Sequence, residues 1–418
     1  MAQGLNKLLY HLHELQRRFM NPLSVWAQAT SELFSSPYSP LSYTPMSRRV
    51  AAGYELLHRL GKSYDKPIWD LPTTTVDGVE VAITEEVAAA KPFCKLVHFK
   101  REWPRDLAKR PADPKVLIVA PLSGHHATLL RDTVRALLPN HEVWITDWID
   151  ARIVPLAEGA FHLDDYVDYV IEFVQQLGPD VHLISVCQPT VPVLAAVSLM
   201  STRKDPKRPR SMTMMGGPID TRKSPTEVNA LAHRKPFEWF EGNVIFKVPS
   251  SYPGYLRRVY PGFMQHAGFV AMNPDRHLNS HWDYYLDLVK GDREDAESHR
   301  KFYDEYNAVL DLPAEYYLDT IRIVFQEHRL PRGIWYVRGE RVAPEDIRDT
   351  ALFTIEGELD DISGSGQTQA AHDLCAKLPA AKQRHLTAKG AGHYGIFSGR
   401  RWRESIAPQI GEFIRANA

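Results

Sequence analysis

The sequence predicts an α/β fold: a mostly parallel sheet covered by helices on both faces, with an inserted helical cap and a helical N-terminal extension. Three observations predict it. Short apolar runs recur between helical stretches, at Val116 to Ala120, Val143 to Thr146, Val181 to Val186, Met212 to Met215, Leu352 to Ile355 and Arg384 to Thr387. Strands that alternate with helices pair in parallel, with helices on both faces. The gap between the fourth and fifth runs, roughly Ile219 to Ala343, is far too long for one crossover, and the start of the chain has helical periodicity instead of alternation.

The elements follow in order. Leu5, Leu8, Leu9, Leu12, Leu15 and Phe19 recur at helical spacing, and a loop rich in Ser and Pro from Phe34 to Pro45 leads to a second helical stretch. The stripe reads as a face packed on the main body, with a dimer contact or a foothold on a hydrophobic surface as alternatives. From Pro72 to Arg101 the pattern alternates around Val76-Asp77-Gly78. Asp-Gly is a hairpin turn signal, so two antiparallel strands are expected. Val191 to Met200 is apolar but only about half the length that crosses a bilayer, which makes it a buried helix and leaves no transmembrane span. The long gap holds eighteen of the 43 aromatic residues between Phe237 and Phe325, including Trp239, Phe240, Tyr252, Tyr255, Tyr260, Phe263, Trp282, Tyr284 and Tyr285. Most of these rings should form the cap's own core, and a minority should line an apolar channel. The expected division is an N-terminal extension over 1–70, a core over 71–218 and 344–418, and a cap over 219–343.

Composition excludes several classes. With 44% hydrophobic and 24% charged residues the chain is neither disordered nor fibrous. Net charge is −1, and the dense basic run Arg203 to Arg210 lies between a helical and a strand pattern, so it reads as a solvated loop and not as a nucleic-acid face. The first residues carry no continuous apolar stretch and no small-residue cleavage site, which points to a cytoplasmic protein. Cys94, Cys187 and Cys375 are odd in number and widely scattered. That argues against a disulfide framework and a structural zinc site, and leaves one thiol free to act as a nucleophile.

The strand Val181 to Val186 runs directly into Cys187-Gln188-Pro189-Thr190 and then a helix. This is the layout of a nucleophile elbow, a sharp strand-to-helix turn that exposes one side chain above the sheet. At a helix N-terminus a thiolate is favoured, and the Gln188 N–H becomes half of an oxyanion hole. Against the G-x-S-x-G pattern, Ser185 replaces the first Gly, Cys187 the Ser and Pro189 the last Gly. Proline is acceptable in a first helical turn, although bulkier than Gly beside a strand. An inert buried cysteine is the competing reading of this motif taken alone.

Two later strand ends change the weighting. Thr354 to Ile362 is an apolar strand that breaks at Gly357 and delivers Asp360 to the loop beyond it. Asp361 is the rival acid, and helix capping is the bland alternative for both. After the last strand, Gly390-Ala391-Gly392-His393-Tyr394-Gly395 holds a histidine between glycines, which allows close approach to another loop. Nucleophile, acid and histidine in that chain order are the order of α/β-hydrolase triads. His393 then takes the Cys187 proton while Asp360 orients the imidazole. The second oxyanion donor is expected from Leu122 or Ser123, after the Val116 to Ala120 strand. His125 and His126 read as ordinary loop histidines.

The combination of Val186-Cys187-Gln188-Pro189-Thr190, Glu356 to Gly364 and Gly392-His393-Tyr394-Gly395 resembles the intracellular poly(3-hydroxybutyrate) depolymerases, over nearly the whole chain. The resemblance implies an α/β-hydrolase with a Cys187, Asp360, His393 triad and no metal or cofactor. It further implies amorphous poly(3-hydroxybutyrate) in cytoplasmic storage granules as substrate, with 3-hydroxybutyrate oligomers or monomers released. The granule surface is the implied partner, and a homodimer is a further possibility. Two alternatives stand beside it. One is a polyhydroxyalkanoate synthase, whose elbow keeps glycines after the Cys where this chain has Gln-Pro; the other is a granule-surface scaffold without catalysis.

Overall fold

Asp77 and Gly78 both take positive φ, 52° and 81°, as a type I′ hairpin turn requires. They join β1 (Thr73–Val76) to β2 (Val79–Lys91), and a second turn leads into β3 (Cys94–Glu102), so the region holds three antiparallel strands where two were expected. The computed structural model describes residues 2–104, 111–272 and 274–418. The sheet continues through β4 (Lys115–Val119), β5 (Glu142–Trp148), β6 (Val181–Val186) and β7 (Ser211–Met215). Helices α1 (Ala2–Ser35) and α2 (Ser47–Gly61) precede it, and α3 (Arg131–Leu137), α4 (Leu163–Leu177) and α5 (Thr190–Thr202) connect its strands.

Between β7 and the next main strand the chain forms the inserted cap. It contains α6 (Glu227–Arg234), α7 (Phe237–Asn243), α8 (Gly262–Met272), α9 (Pro274–Lys290), α10 (Arg293–Tyr306) and α11 (Ala314–Thr320). A small sheet of β8 (Phe246–Lys247), β9 (Arg258–Tyr260) and β10 (Leu312–Pro313), and the hairpin of β11 (Tyr336–Val337) and β12 (Glu340–Arg341), lie within the same segment. The main sheet closes with β13 (Ala351–Gly357) and β14 (Gln383–Ala388). Its order is β1-β2-β3-β5-β4-β6-β7-β13-β14, antiparallel as far as the β3–β5 pair and parallel from β5 onward. The six apolar runs seen in the sequence are the six parallel strands.

All of those strands except the edge strand β14 are buried on both faces. Every residue of β6, β7 and β13 is buried, as parallel strands between two helical layers must be. Leu310, Leu312, Tyr316, Ile323 and Trp335 of the insertion join the same core as the sheet. No described helix is long and apolar enough to cross a membrane, and the Thr190 to Met200 segment is buried throughout in α5.

The N-terminal helix corrects one expectation. Leu12, Leu15 and Phe19 are not packed on the body; Phe19 is 81% exposed. The side chains of Leu5 and Leu8 lie outside the described residues. A different face of α1 is buried, carrying Tyr10, Ser24, Ala27 and Ser31. Small residues there let α2 come close, with Ser24 Oγ donating to the His58 carbonyl at 3.1 Å and Ser31 Oγ to the Ala51 carbonyl at 2.9 Å. Apolar periodicity marks a face of a helix without saying which face the fold uses.

Candidate active site

Every part of the site comes from the C-terminal edge of the parallel strands. Val119 of β4 lies opposite Ser185 of β6, and Val186 opposite Met215 of β7. Ile355 of β13 lies opposite Met215, and Gly357 opposite Ala388 of β14. The loops that follow β4, β6, β13 and β14 therefore leave the sheet at the same level.

At the end of β6, Cys187 adopts φ 67°, the left-handed region that residues with a side chain seldom occupy. The turn is held from both sides. Cys187 N–H donates to the Met215 carbonyl at 2.7 Å, while its own carbonyl accepts from Thr190 N–H at 3.2 Å. Pro189 sits at φ −53°, already helical, so the proline suits the first turn of α5. Ser185, in place of a glycine, is fully buried and donates to the Thr213 carbonyl at 3.3 Å. The close approach that glycines give an ordinary elbow is supplied instead by Gly216 and Gly217 after β7. A Cβ on Gly217 would lie 1.8 Å from Thr190 Oγ1, and one on Gly216 only 3.2 Å from His393 Cε1 and 3.3 Å from Asp360 Oδ2. Cys187 is half-buried, whereas Cys94 and Cys375 are fully buried. Burial pushes the Cys94 thiol well up and Cys375 up to about 12, which leaves both as inert thiols.

Asp360 and His393 meet. Asp360 Oδ2 lies 2.8 Å from His393 Nδ1, and its other oxygen accepts the N–H groups of Ile362 at 2.9 Å and Ser363 at 2.8 Å. The carboxylate is thus fixed by its own turn and caps no helix, while Asp361 is exposed. Both side chains of the pair are almost completely buried. Gly357 permits the two loops to touch, since a Cβ there would stand 2.6 Å from the Ala391 carbonyl oxygen. Burial opposes a charge on His393, but the Cys187 sulfur and the Asp360 carboxylate outweigh it and hold the imidazolium well above its ordinary value. Cys187 acts on the ring both by charge and by a side-chain hydrogen bond.

Among the described residues, no acceptor takes the backbone N–H of Gln188, Leu122 or Ser123. The Ala120 carbonyl just before that loop is pinned by Trp148 Nε1 at 2.8 Å and by the Tyr166 hydroxyl at 3.1 Å. His125 and His126 are not exposed loop residues. Both are buried, His125 Nε2 lies 3.1 Å from the Tyr306 carbonyl, and desolvation lowers them to about 4 and about 3. His125, through that contact and its bridge to Val309, fastens the loop after β4 to the cap.

The cap rings pack in two places, within the insertion and against the sheet core. Phe240 is buried among cap residues, Tyr284 is buried with its hydroxyl donating to Glu55 of α2 at 3.0 Å, and Tyr252 and Phe263 pack near Tyr10. The rings of the insertion that reach the sheet core are Tyr260, Tyr316, Tyr317, Phe325 and Trp335. Sequence reading passed over Tyr316 and Thr320, which no motif marks, and over Gly216-Gly217, which a Gly pair at a strand end does signal. Among the described residues no group of three or more His, Cys, Asp or Glu is placed to hold a metal ion.

The strand order, the elbow after β6, and an acid and a histidine after the last two strands define an α/β-hydrolase. Residues 216–418 match the family model described as the C-terminus of PHB de-polymerase. No curated protein matches the chain. Among solved structures it is similar to a monoacylglycerol lipase of Paleococcus ferrophilus, at 14% identity and TM-score 0.42, over 73% of this chain and 97% of that one. A bromoperoxidase from Bacillus anthracis is similar at 13% identity and TM-score 0.43, over 80% and 99%. A 2-hydroxy-6-oxo-6-phenylhexa-2,4-dienoate hydrolase from a Rhodococcus strain is similar at 12% identity and TM-score 0.42, over 80% and 99%.

Proposed function

We propose that the chain is a thiol-dependent ester hydrolase that cuts poly(3-hydroxybutyrate) in cytoplasmic storage granules. The observation that carries the reading is the buried His393, bonded to Asp360 on one side and acted on by Cys187. In this reading His393 takes the Cys187 proton to give a thiolate–imidazolium pair, and Asp360 fixes the tautomer and balances the cation. The sulfur attacks an ester carbonyl carbon, and the oxyanion is met by the N–H groups of Gln188 and of Leu122 or Ser123. As the C–O bond breaks, His393 gives its proton to the departing alkoxide and leaves an acyl-cysteine. Neutral His393 then takes a proton from water, whose oxygen attacks the thioester carbon. The acid departs and the thiolate–imidazolium pair is restored.

Residues 1–70 serve as an extension, 71–218 with 344–418 as the catalytic body, and 219–343 as a cap. Tyr260, Tyr317 and Phe325 give the cap an apolar surface toward the core, which suits a polyester chain better than a charged metabolite. The PHB de-polymerase match over residues 216–418 supports the substrate class.

The test is acid release from native amorphous poly(3-hydroxybutyrate) granules by wild type and Cys187→Ala, with 3-hydroxybutyryl coenzyme A supplied in parallel. Release that disappears in the variant is the expected result. Release that survives removes Cys187 as nucleophile, and polymer formed from the thioester without acid release means the reaction runs toward synthesis. Absence of both, together with no turnover of a p-nitrophenyl ester, identifies a scaffold.

A further inference from the structure

Tyr316 of α11 stands out because its hydroxyl is fully buried beside the Gln188 side chain and, among the described residues, makes no hydrogen bond of ordinary geometry. The ring itself is held firmly. It stacks on Tyr166 at 5.5 Å and 14°, and Phe161 lies 5.9 Å away. One helical turn on, Thr320 Oγ1 donates to the Tyr316 carbonyl at 2.9 Å and accepts from Gln188 Nε2 at 3.1 Å. Tyr316 is therefore fixed against the residue that follows the nucleophile candidate. Its stacking partner Tyr166 reaches the Ala120 carbonyl, at the root of the other oxyanion loop. Tyr316 thus packs beside the Gln188 side chain and against a ring that is bonded at the root of the β4 loop.

A phenylalanine would fill this place without leaving a buried polar atom unsatisfied, so the hydroxyl is a local cost in the empty protein. Two further polar atoms at the elbow, Gln188 Oε1 and Thr190 Oγ1, are likewise buried without partners. Orphaned groups gathered at one turn mark a place prepared for a polar visitor. Burial, reinforced by the Cys187 charge, raises the Tyr316 hydroxyl well above its ordinary value, so it stays protonated and can only be a donor toward an anion.

We propose that the Tyr316 hydroxyl is a third donor to the oxyanion formed on the ester carbonyl at Cys187, beside the Gln188 N–H and the β4-loop N–H. This rests on the thiol-hydrolase reading above. The cap then contributes directly to catalysis, because the donor is carried by α11 and not by the sheet.

The experiment compares wild type, Tyr316→Phe and Cys187→Ala on a soluble p-nitrophenyl ester, with thermal unfolding of each. Removal of one oxyanion donor lowers kcat on the order of 10²-fold. The expected result for Tyr316→Phe is a loss of that size in kcat, KM within about twofold, and a melting temperature equal to or above wild type. A kcat unchanged by Tyr316→Phe while Cys187→Ala is inactive overturns the role of Tyr316 alone. So does a rise in KM at constant kcat, or a loss of activity matched by a lower melting temperature, which would assign Tyr316 a structural part. Activity that survives in Cys187→Ala overturns both this inference and the reading beneath it.

Discussion

Thr190 and Gly217 are in contact so close that no side chain fits on the glycine. A Cβ there would stand 1.8 Å from Thr190 Oγ1 and 2.5 Å from Thr190 Cβ. Thr190 opens α5, so pressure on it is pressure on the elbow. Gly217→Ala should destabilise the protein by about 1–3 kcal/mol, the usual range for overpacking, and lower ester hydrolysis with it. Urea unfolding reads the first effect, and an unshifted midpoint would mean that α5 moves aside freely.

The Asp360–His393 bond sets the pH behaviour. His393 holds its proton well above the ordinary value of 6.5, so the limb of the pH–kcat/KM profile that reports this histidine should lie above 6.5, whereas an unperturbed histidine would place it near that value. Asp360→Asn removes one of the two charges that support the cation. The high-pH limb should then move down, and kcat should fall on the order of 10²–10⁴-fold, as when other triads lose their orienting carboxylate. A pH–rate profile of both proteins checks the two statements together.

Acid stability has a different source. His125 and His126 are lowered to about 4 and about 3, while in the unfolded chain each titrates near 6.5. Below about 6.5 the unfolded state binds more protons, so stability is full above that value and is lost as pH falls toward about 4. Melting temperatures at pH 7, 5.5 and 4.5 should decline in that order. His125→Gln, which keeps a donor toward the Tyr306 carbonyl, should make the decline shallower.

The two faces of α1 predict opposite responses. Phe19→Ser and Leu12→Ser alter exposed side chains and should change stability by less than about 0.5 kcal/mol. Tyr10→Phe removes the 2.5 Å bond from the buried Tyr10 hydroxyl to Asp311. Loss of a buried hydrogen bond that leaves the Asp311 oxygen without this donor costs about 1–3 kcal/mol, so this variant should be clearly weaker in urea. Equal losses from both kinds of substitution would contradict the packing of α1.

The parallel strands could be read from the sequence because burial on both faces leaves mostly apolar runs such as Val181 to Val186, interrupted only by His182 and Ser185. The positions of Cys187, Asp360 and His393 were legible for a related reason: each falls directly after such a strand, where topology alone brings loops together. What the sequence hid depends on contacts between distant segments. Nothing local marks Tyr316 as the ring beside the elbow, since it belongs to an aromatic-rich region where most rings only pack. Leu12, Leu15 and Phe19 misled for the opposite reason, because their periodicity is real while the fold uses the Ser24, Ala27 and Ser31 side of the helix. The third strand of the N-terminal hairpins was missed because β2 is largely exposed and carries little apolar alternation.

Adjacent pairing of β7 with β13, with residues 216–350 between them, bears on how the chain is made. On a ribosome, β4 to β7 emerge and can assemble long before β13 exists. Until then the Ser211–Met215 strand is an unpaired edge, rich in methionine and free of charge. Such an edge invites pairing with a neighbouring nascent chain. Production of the protein should therefore be limited by the delay between these two strands, and slower synthesis or a chaperone that shields the half-built sheet should raise the soluble yield more than any change at the active site.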